Sequence, residues 1–182
     1  MAMHAAFLRG VNLGKSRRIG GEQLRAVFEG LGFEGVASFR ASGNVVFEAA
    51  EREDGDRIEA RIEAGLADSL GFEVSIFLRS AGQVRTIAAH RPFPPAEIEP
   101  TAGKLQVALL PETPGRSARD QALALGTGED RLAIRGRELY WLPSGGISDS
   151  PLDLKALEAG LGPWTMRTKG TIEQLAAKHL SG

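Results

Sequence analysis

The chain has 182 residues, 42% hydrophobic and 25% charged, enough for one domain or two small ones with a sizeable core. Its 22 Lys and Arg nearly balance 23 Asp and Glu, a net charge of −1, so global charge gives no drive toward nucleic acid or an anionic membrane. The absence of cysteine excludes disulfides, thiol nucleophiles and Cys-ligated zinc, and His4, His90 and His179 lie too far apart for a dedicated His–metal site.

In chain order, Met3 to Leu8 reads as a strand ending at Arg9-Gly10. In Glu22 to Leu31, the residues Leu24, Val27, Phe28 and Leu31 fall on one helical face, with Gly32 as the C-terminal stop. Val36–Ala41 and Val45–Ala49 read as strands joined by the tight-turn run Ser42-Gly43-Asn44. Asp56 to Leu70 carries Ile58, Ile62 and Leu66 four apart, a second helix closed by Gly71, and Val74–Leu78 is a fourth strand. Ser80-Ala81-Gly82-Gln83 is a capping box that opens a third helix to about His90. Arg91-Pro92-Phe93-Pro94-Pro95, on to Pro100, can neither continue a helix nor join a ladder and reads as a linker.

The second half repeats the order. Leu105–Leu110 is a strand, Ser117–Leu125 a helix stopped by Gly126, and Arg131–Arg135 and Glu138–Leu142 a hairpin over Gly136-Arg137. Ser150-Pro151, an N-cap followed by Pro, starts a helix through Leu154, Leu157 and Leu161. Trp164–Thr168 is a short strand, and Thr171-Ile172-Glu173-Gln174 caps a last helix to about Leu180. Both halves thus read β-α-β-β-α-β-α. The expected fold is α+β: two pseudo-duplicated ferredoxin-like lobes, each βαββαβ plus a helix. Residues 1–91 form the first, 92–103 the Pro-rich linker and 104–182 the second. The halves share pattern without a visible residue match. A single α+β domain with one continuous sheet is the competing architecture.

Topology gives two polar runs a common address. In a βαββ unit the crossover makes strands one and two parallel, and the hairpin returns strand three between them. Arg9-Gly10-Val11-Asn12, at the end of the first strand, is therefore expected beside Ser42-Gly43-Asn44. Arg, Ser and Asn donors there suit an oxyanion or an amide, and the glycines admit close approach. The competing role is turn building, which Asn often performs. In the second half, the loop 143–150 leads into a helix start, and Ser150, Arg167 and Lys169 are placed at one sheet edge, where they would enclose a phosphate or carboxylate. There too, a plain loop with a helix cap competes.

Other motifs carry less. Gly10-Val11-Asn12-Leu13-Gly14-Lys15-Ser16 resembles a phosphate loop but is one residue short, with Arg9 at the first Gly position. Lys15, Arg17 and Arg18 form a basic cluster without the aromatic stacking pattern of single-strand binders. No GxSxG elbow is present, His90 reads as a helix-end residue, the acidic run Glu51–Asp56 as a helix start, and Trp141 and Trp164 as packing residues.

Phe7-Leu8-Arg9-Gly10-Val11-Asn12-Leu13-Gly14, Leu31-Gly32-Phe33 and Ser42-Gly43-Asn44-Val45-Val46-Phe47 resemble the bacterial domain-of-unknown-function family 1697, whose members open with LLRGINVG and continue through SGNVVF. The likeness extends through Gly71-Phe72 and Arg91-Pro92-Phe93 and weakens toward the C-terminus. Where the family shows Ser-Lys-Leu this chain has Ser150-Pro151-Leu152. Where it shows Arg-Asn-Trp-x-Thr the chain keeps Arg167 and Thr171 but has Thr168 and Lys169 between. The resemblance implies an α+β ferredoxin-like fold and a soluble bacterial protein, and no established activity.

The functional expectation is a metal- and cofactor-independent protein that binds a small anionic or polar, phosphate- or carboxylate-bearing ligand. Its residues are Arg9, Asn12, Ser42 and Asn44, with Ser150 and Arg167 from the second lobe. The alternatives are a metal-independent enzyme on such a ligand, with no catalytic residue identified, a protein-interaction module, and a nucleic-acid binder resting only on the Lys15–Arg18 cluster. A homo-oligomer is compatible with a ferredoxin-like sheet. No apolar run of membrane-spanning length and no signal-peptide pattern occurs, which places the expected protein in the cytoplasm.

Overall fold

Local sequence signals set most elements of the first unit. The computed structural model of the chain describes residues 1–11, 18–40, 43–99 and 104–180. β1 (Ala2–Arg9) precedes α1 (Gly21–Gly30), whose apolar face buries Leu24 and Phe28. α1 ends in a Schellman motif: Gly32, at φ +85°, donates to Glu29 O at 2.9 Å, and Phe33 N donates to Phe28 O at 3.2 Å. The accompanying apolar contact is aromatic. Phe28 and Phe33 both pack on Phe47, at ring separations of 5.2 and 4.6 Å. Each such pair adds about 0.5–1.5 kcal/mol beyond its area. β2 (Glu34–Ser38) and β3 (Asn44–Ala49) form the expected hairpin.

α2 (Gly55–Leu70) is capped by Asp54, whose carboxylate accepts from Asp56 N, and it buries Ile58, Ile62 and Leu66 completely. β4 (Ser75–Ser80) is an edge strand. Glu63 and Glu59 of α2 accept its Ile76 and Leu78 N–H groups at 2.9 and 2.8 Å, which blunts an edge otherwise open to strand pairing. The first sheet has the order β2-β3-β1-β4, antiparallel throughout. Strand three lies between strands one and two, as the crossover argument requires.

α3 (Ala81–Ala89) opens on the expected capping box: Ser80 N donates to Gln83 Oε1 and Gln83 N to Ser80 Oγ. The Pro-rich stretch does hold a helix, the single turn α4 (Pro95–Ile98). Pro95 is its first residue, where proline's missing N–H costs nothing. Residues 100–103 lie outside the described set.

The second sheet comprises β5 (Gln106–Leu109), β6 (Arg131–Arg135), β7 (Glu138–Leu142) and β8 (Thr165–Thr168). Its antiparallel order, β6-β7-β5-β8, is the counterpart of the first. The continuous-sheet alternative is therefore not what forms. α5 (Arg116–Ala124) and α6 (Leu154–Leu161) pack against a core containing Trp141 and Trp164. α6 starts at Leu154, later than the expected Ser150-Pro151 cap. Asp153 is the residue whose carboxylate accepts the free Ala156 N–H, and Ser150 is used elsewhere. α7 (Lys169–His179) closes the chain.

Packing divides the residues into two units, Met1–Thr86 with Leu175–Gly182, and Ile87–Gln174. α3 and α7 each begin in one unit and finish in the other. Their junctions with the preceding strands align without a gap, with like residues at most positions and Ala81/Lys169 and Gln83/Thr171 as the unlike pairs. Arg79-Ser80-Ala81-Gly82-Gln83-Val84 and Ile87-Ala88-Ala89 correspond to Arg167-Thr168-Lys169-Gly170-Thr171-Ile172 and Leu175-Ala176-Ala177. Thr168 Oγ1 accepts Thr171 N as Ser80 Oγ accepts Gln83 N. Val84, Ile87, Ile172 and Leu175 are all buried, and Arg79 and Arg167 are only 1% and 8% exposed. Among the described residues no helix is long and apolar enough to cross a membrane.

Candidate functional site

The end of β1 and the β2–β3 turn meet. Phe7 stands opposite Asn44 in register, and Leu8 N donates to Gly43 O at 2.8 Å. Gly43 is required there: its φ is +71°, and a Cβ would come within 2.7 Å of Val11 Cγ2 and 3.0 Å of Leu8 Cβ. Arg40 takes the left-handed region as well, at φ 59°. Asn44 is fully buried. Its Nδ2 donates to Phe39 O at 2.9 Å, while its own carbonyl accepts Phe39 N at 2.8 Å. The Asn44 side chain thus builds the turn, the competing role weighed from sequence. Asn12 and Ser42 lie outside the described residues, as do Leu13–Ser16 of the phosphate-loop likeness and Lys15 and Arg17 of the basic cluster.

Side-chain alternation then sorts the faces of the first sheet. Ala6, Leu8, Val45, Phe47, Ile76 and Leu78 join the core beneath α1 and α2. Their neighbours Phe7, Arg9, Asn44, Phe77 and Arg79 share the other face. Arg9 and Asn44 therefore occupy one face at one end of the sheet, with Phe7 between them in the register. Arg79 is two rows away, opposite Ala5, and its Nη1 donates to Leu78 O at 2.9 Å.

α7 brings further groups to the same turn. The His179 ring meets Phe39 edge-on at 5.8 Å, Lys178 Nζ lies 5.9 Å from the Phe39 ring centre, and Arg40 Cζ lies 5.6 Å from it. Burial, and then the Lys178 charge, hold the His179 imidazole below its ordinary pKa. Its Nε2 is buried without a hydrogen-bond partner among the described residues. Nothing local in the sequence marks this group, because the Lys178-His179 pair shows nothing of where its helix docks. Elsewhere in this unit a groove of about 410 Å³ runs between α2 and β4, lined by Glu63, Glu73 and alanines, the wrong sign for an anion.

In the second unit the expected residues are engaged by the protein itself. Ser150 Oγ donates to Asp130 Oδ1 at 2.9 Å and accepts Leu152 N at 3.1 Å. Asp130, 1% exposed, also accepts from Trp141 Nε1 and Thr127 Oγ1, so the loop 143–150 is pinned to the core. Arg167 Nη1 donates to Thr165 Oγ1 and Met166 O, and burial pushes its pKa down to about 10. The C-terminal ends of β7 and β8 do lie at one sheet end, since Trp141 and Thr168 both pair with Gln106. Lys169 turns to other work. It is 5% exposed, and its Nζ donates to Ala88 O at 2.6 Å and Glu173 Oε1 at 2.7 Å, with Arg91 also reaching Glu173.

His90, just past α3, accepts from Arg135 Nη1 at Nδ1 over 2.9 Å and packs edge-on against Tyr140. A guanidinium can only donate, so the Nδ1 lone pair is occupied and the ring is neutral with its proton on Nε2. Burial first, then Arg135, Lys169 and Arg91, lower its pKa.

Two antiparallel-sheet units with this strand order define an α+β protein, and the fold has a solved counterpart. The structure is similar to that of a conserved bacterial protein, SP0830 from Streptococcus pneumoniae, with a TM-score of 0.72, 22% identity, and 97% of each chain covered. The chain belongs to the family described as protein of unknown function (DUF1697), whose sequence profile matches residues 1–140. No curated protein matches the sequence.

Proposed function

We propose that the end of β1 and the β2–β3 turn bind a small anionic or polar ligand, phosphate- or carboxylate-bearing, through Arg9, Asn12 and Ser42, with the buried Asn44 building the turn. The observation that carries the reading is the shared face of Arg9 and Asn44 beside the Leu8–Gly43 hydrogen bond. A guanidinium at a strand end beside a glycine turn offers charge and close backbone approach together. The scaffold is read as two pseudo-duplicated ferredoxin-like lobes. The equal strand orders and the matching β4–α3 and β8–α7 junctions support that view.

Ser150 and Arg167 bond within their own unit, so the reading centres on the first unit. A thermal-shift screen of nucleotides and phosphorylated metabolites tests it, with Arg9→Ala as the principal variant. Asn44→Ala also removes a turn hydrogen bond and must be compared at matched stability. The expected result is a rise in melting temperature with at least one phosphorylated compound that Arg9→Ala abolishes. No shift with any compound defeats the reading.

A further inference from the structure

We infer that the C-terminal end of α7 completes this site, with His179 and Lys178 engaging a phosphate-type oxyanion beside Phe39. The inference rests on the ligand-binding reading of that turn and deepens it. Phe39 is held from both sides of its peptide by Asn44, so its ring is a fixed reference for what surrounds it. Around that ring stand one imidazole and two cationic side chains, His179, Lys178 and Arg40.

A buried polar atom without a partner is rare in native proteins, and leaving one costs about 1–3 kcal/mol. His179 Nε2 is such an atom among the described residues. The charges at hand select the missing partner. A neutral imidazole with its proton on Nε2 donates one hydrogen bond, and Lys178 adds a positive charge from the preceding residue of α7. An oxyanion uses both; a neutral ligand would leave the ammonium unused, and a cation is repelled. Arg40 and Lys178 are exposed on long rotatable stems, so their charged ends can follow a ligand bound beside the Phe39 ring. The contrast with His90 is direct, since its acceptor nitrogen already receives a hydrogen bond from Arg135.

The test uses the full chain and inorganic phosphate, followed by phosphorus NMR line broadening and by thermal shift. His179→Ala is expected to weaken phosphate binding about tenfold, which corresponds to about 1.4 kcal/mol. His179→Gln, whose amide nitrogen reaches about as far as Nε2, recovers part of the loss. Lys178→Ala weakens binding about threefold. Circular dichroism shows which variants remain folded. Equal binding by wild type, His179→Ala and His179→Gln overturns the inference; loss on Arg9→Ala in the same series then leaves the ligand-binding reading standing. Loss on His179→Ala with Arg9→Ala unaffected supports α7 and removes β1 from the site. No binding of phosphate by the wild type overturns the oxyanion assignment, while the wider metabolite screen still decides the reading beneath it.

Discussion

Two junctions in this molecule are built alike and finished differently. In the second unit the end of α3 meets β6 and β7: His90 accepts from Arg135, its ring packs on Tyr140, and Lys169 ties Ala88 to Glu173. In the first unit the end of α7 meets the β2–β3 turn, where His179 packs on Phe39 and its Nε2 has no hydrogen-bond partner among the described residues. Each pairs a helix end with a hairpin, the basic residues following α3 as His90-Arg91 and filling the last turn of α7 as Lys178-His179. The first is closed by its own hydrogen bonds, and the second leaves one imidazole nitrogen unmatched among the described residues, which is the basis for proposing support at one and recognition at the other.

If the α3 joint is structural, breaking it costs stability. Lys169→Ala leaves a carbonyl and a carboxylate without their shared ammonium and is expected to destabilise the chain by about 2–3 kcal/mol, read as a lower urea midpoint with an unchanged slope. Asn44→Ala, which strands the Phe39 carbonyl at the other joint, should cost about 1–2 kcal/mol. A cost near zero for Lys169→Ala would remove the distinction between the joints.

The pH dependence has a defined sign. Both imidazoles have folded pKa values below their ordinary 6.5, so the unfolded chain binds more protons as pH falls. Their contribution to stability is complete above about 6.5 and declines below it. The urea midpoint should therefore be lower at pH 5 than at pH 7.5, and the double variant His90→Gln/His179→Gln should flatten the difference. The smallest effect sharpens the comparison most: Arg135→Ala removes a positive neighbour and should raise the His90 pKa in an NMR titration while leaving His179 where it was.

Where a signal is local, the sequence carried it. The Leu24, Phe28 stripe, Gly32, the Ser80–Gln83 capping box and the Gly43 turn each act within a few residues, and each stands where expected. The neighbourhood of β1 and the β2–β3 turn was legible too, because a crossover and a hairpin leave strand three only one place. The α6 start was misplaced, since Ser150 and Asp153 are equally good caps until Asp130 claims the Ser150 hydroxyl. The likeness of the β4–α3 and β8–α7 junctions lies in spaced residues such as Val84 and Ile172, visible only once strand ends are aligned. Lys169 and His179 depend on long-range packing, which no local pattern encodes.

The difference between the joints is tested most directly by titrating the imidazole protons of His90 and His179 in one sample, with and without inorganic phosphate. An oxyanion at Nε2 favours the charged ring, so the pKa of His179 should rise when phosphate is present while that of His90 stays fixed. Equal shifts at both rings, or none at His179, would contradict the account.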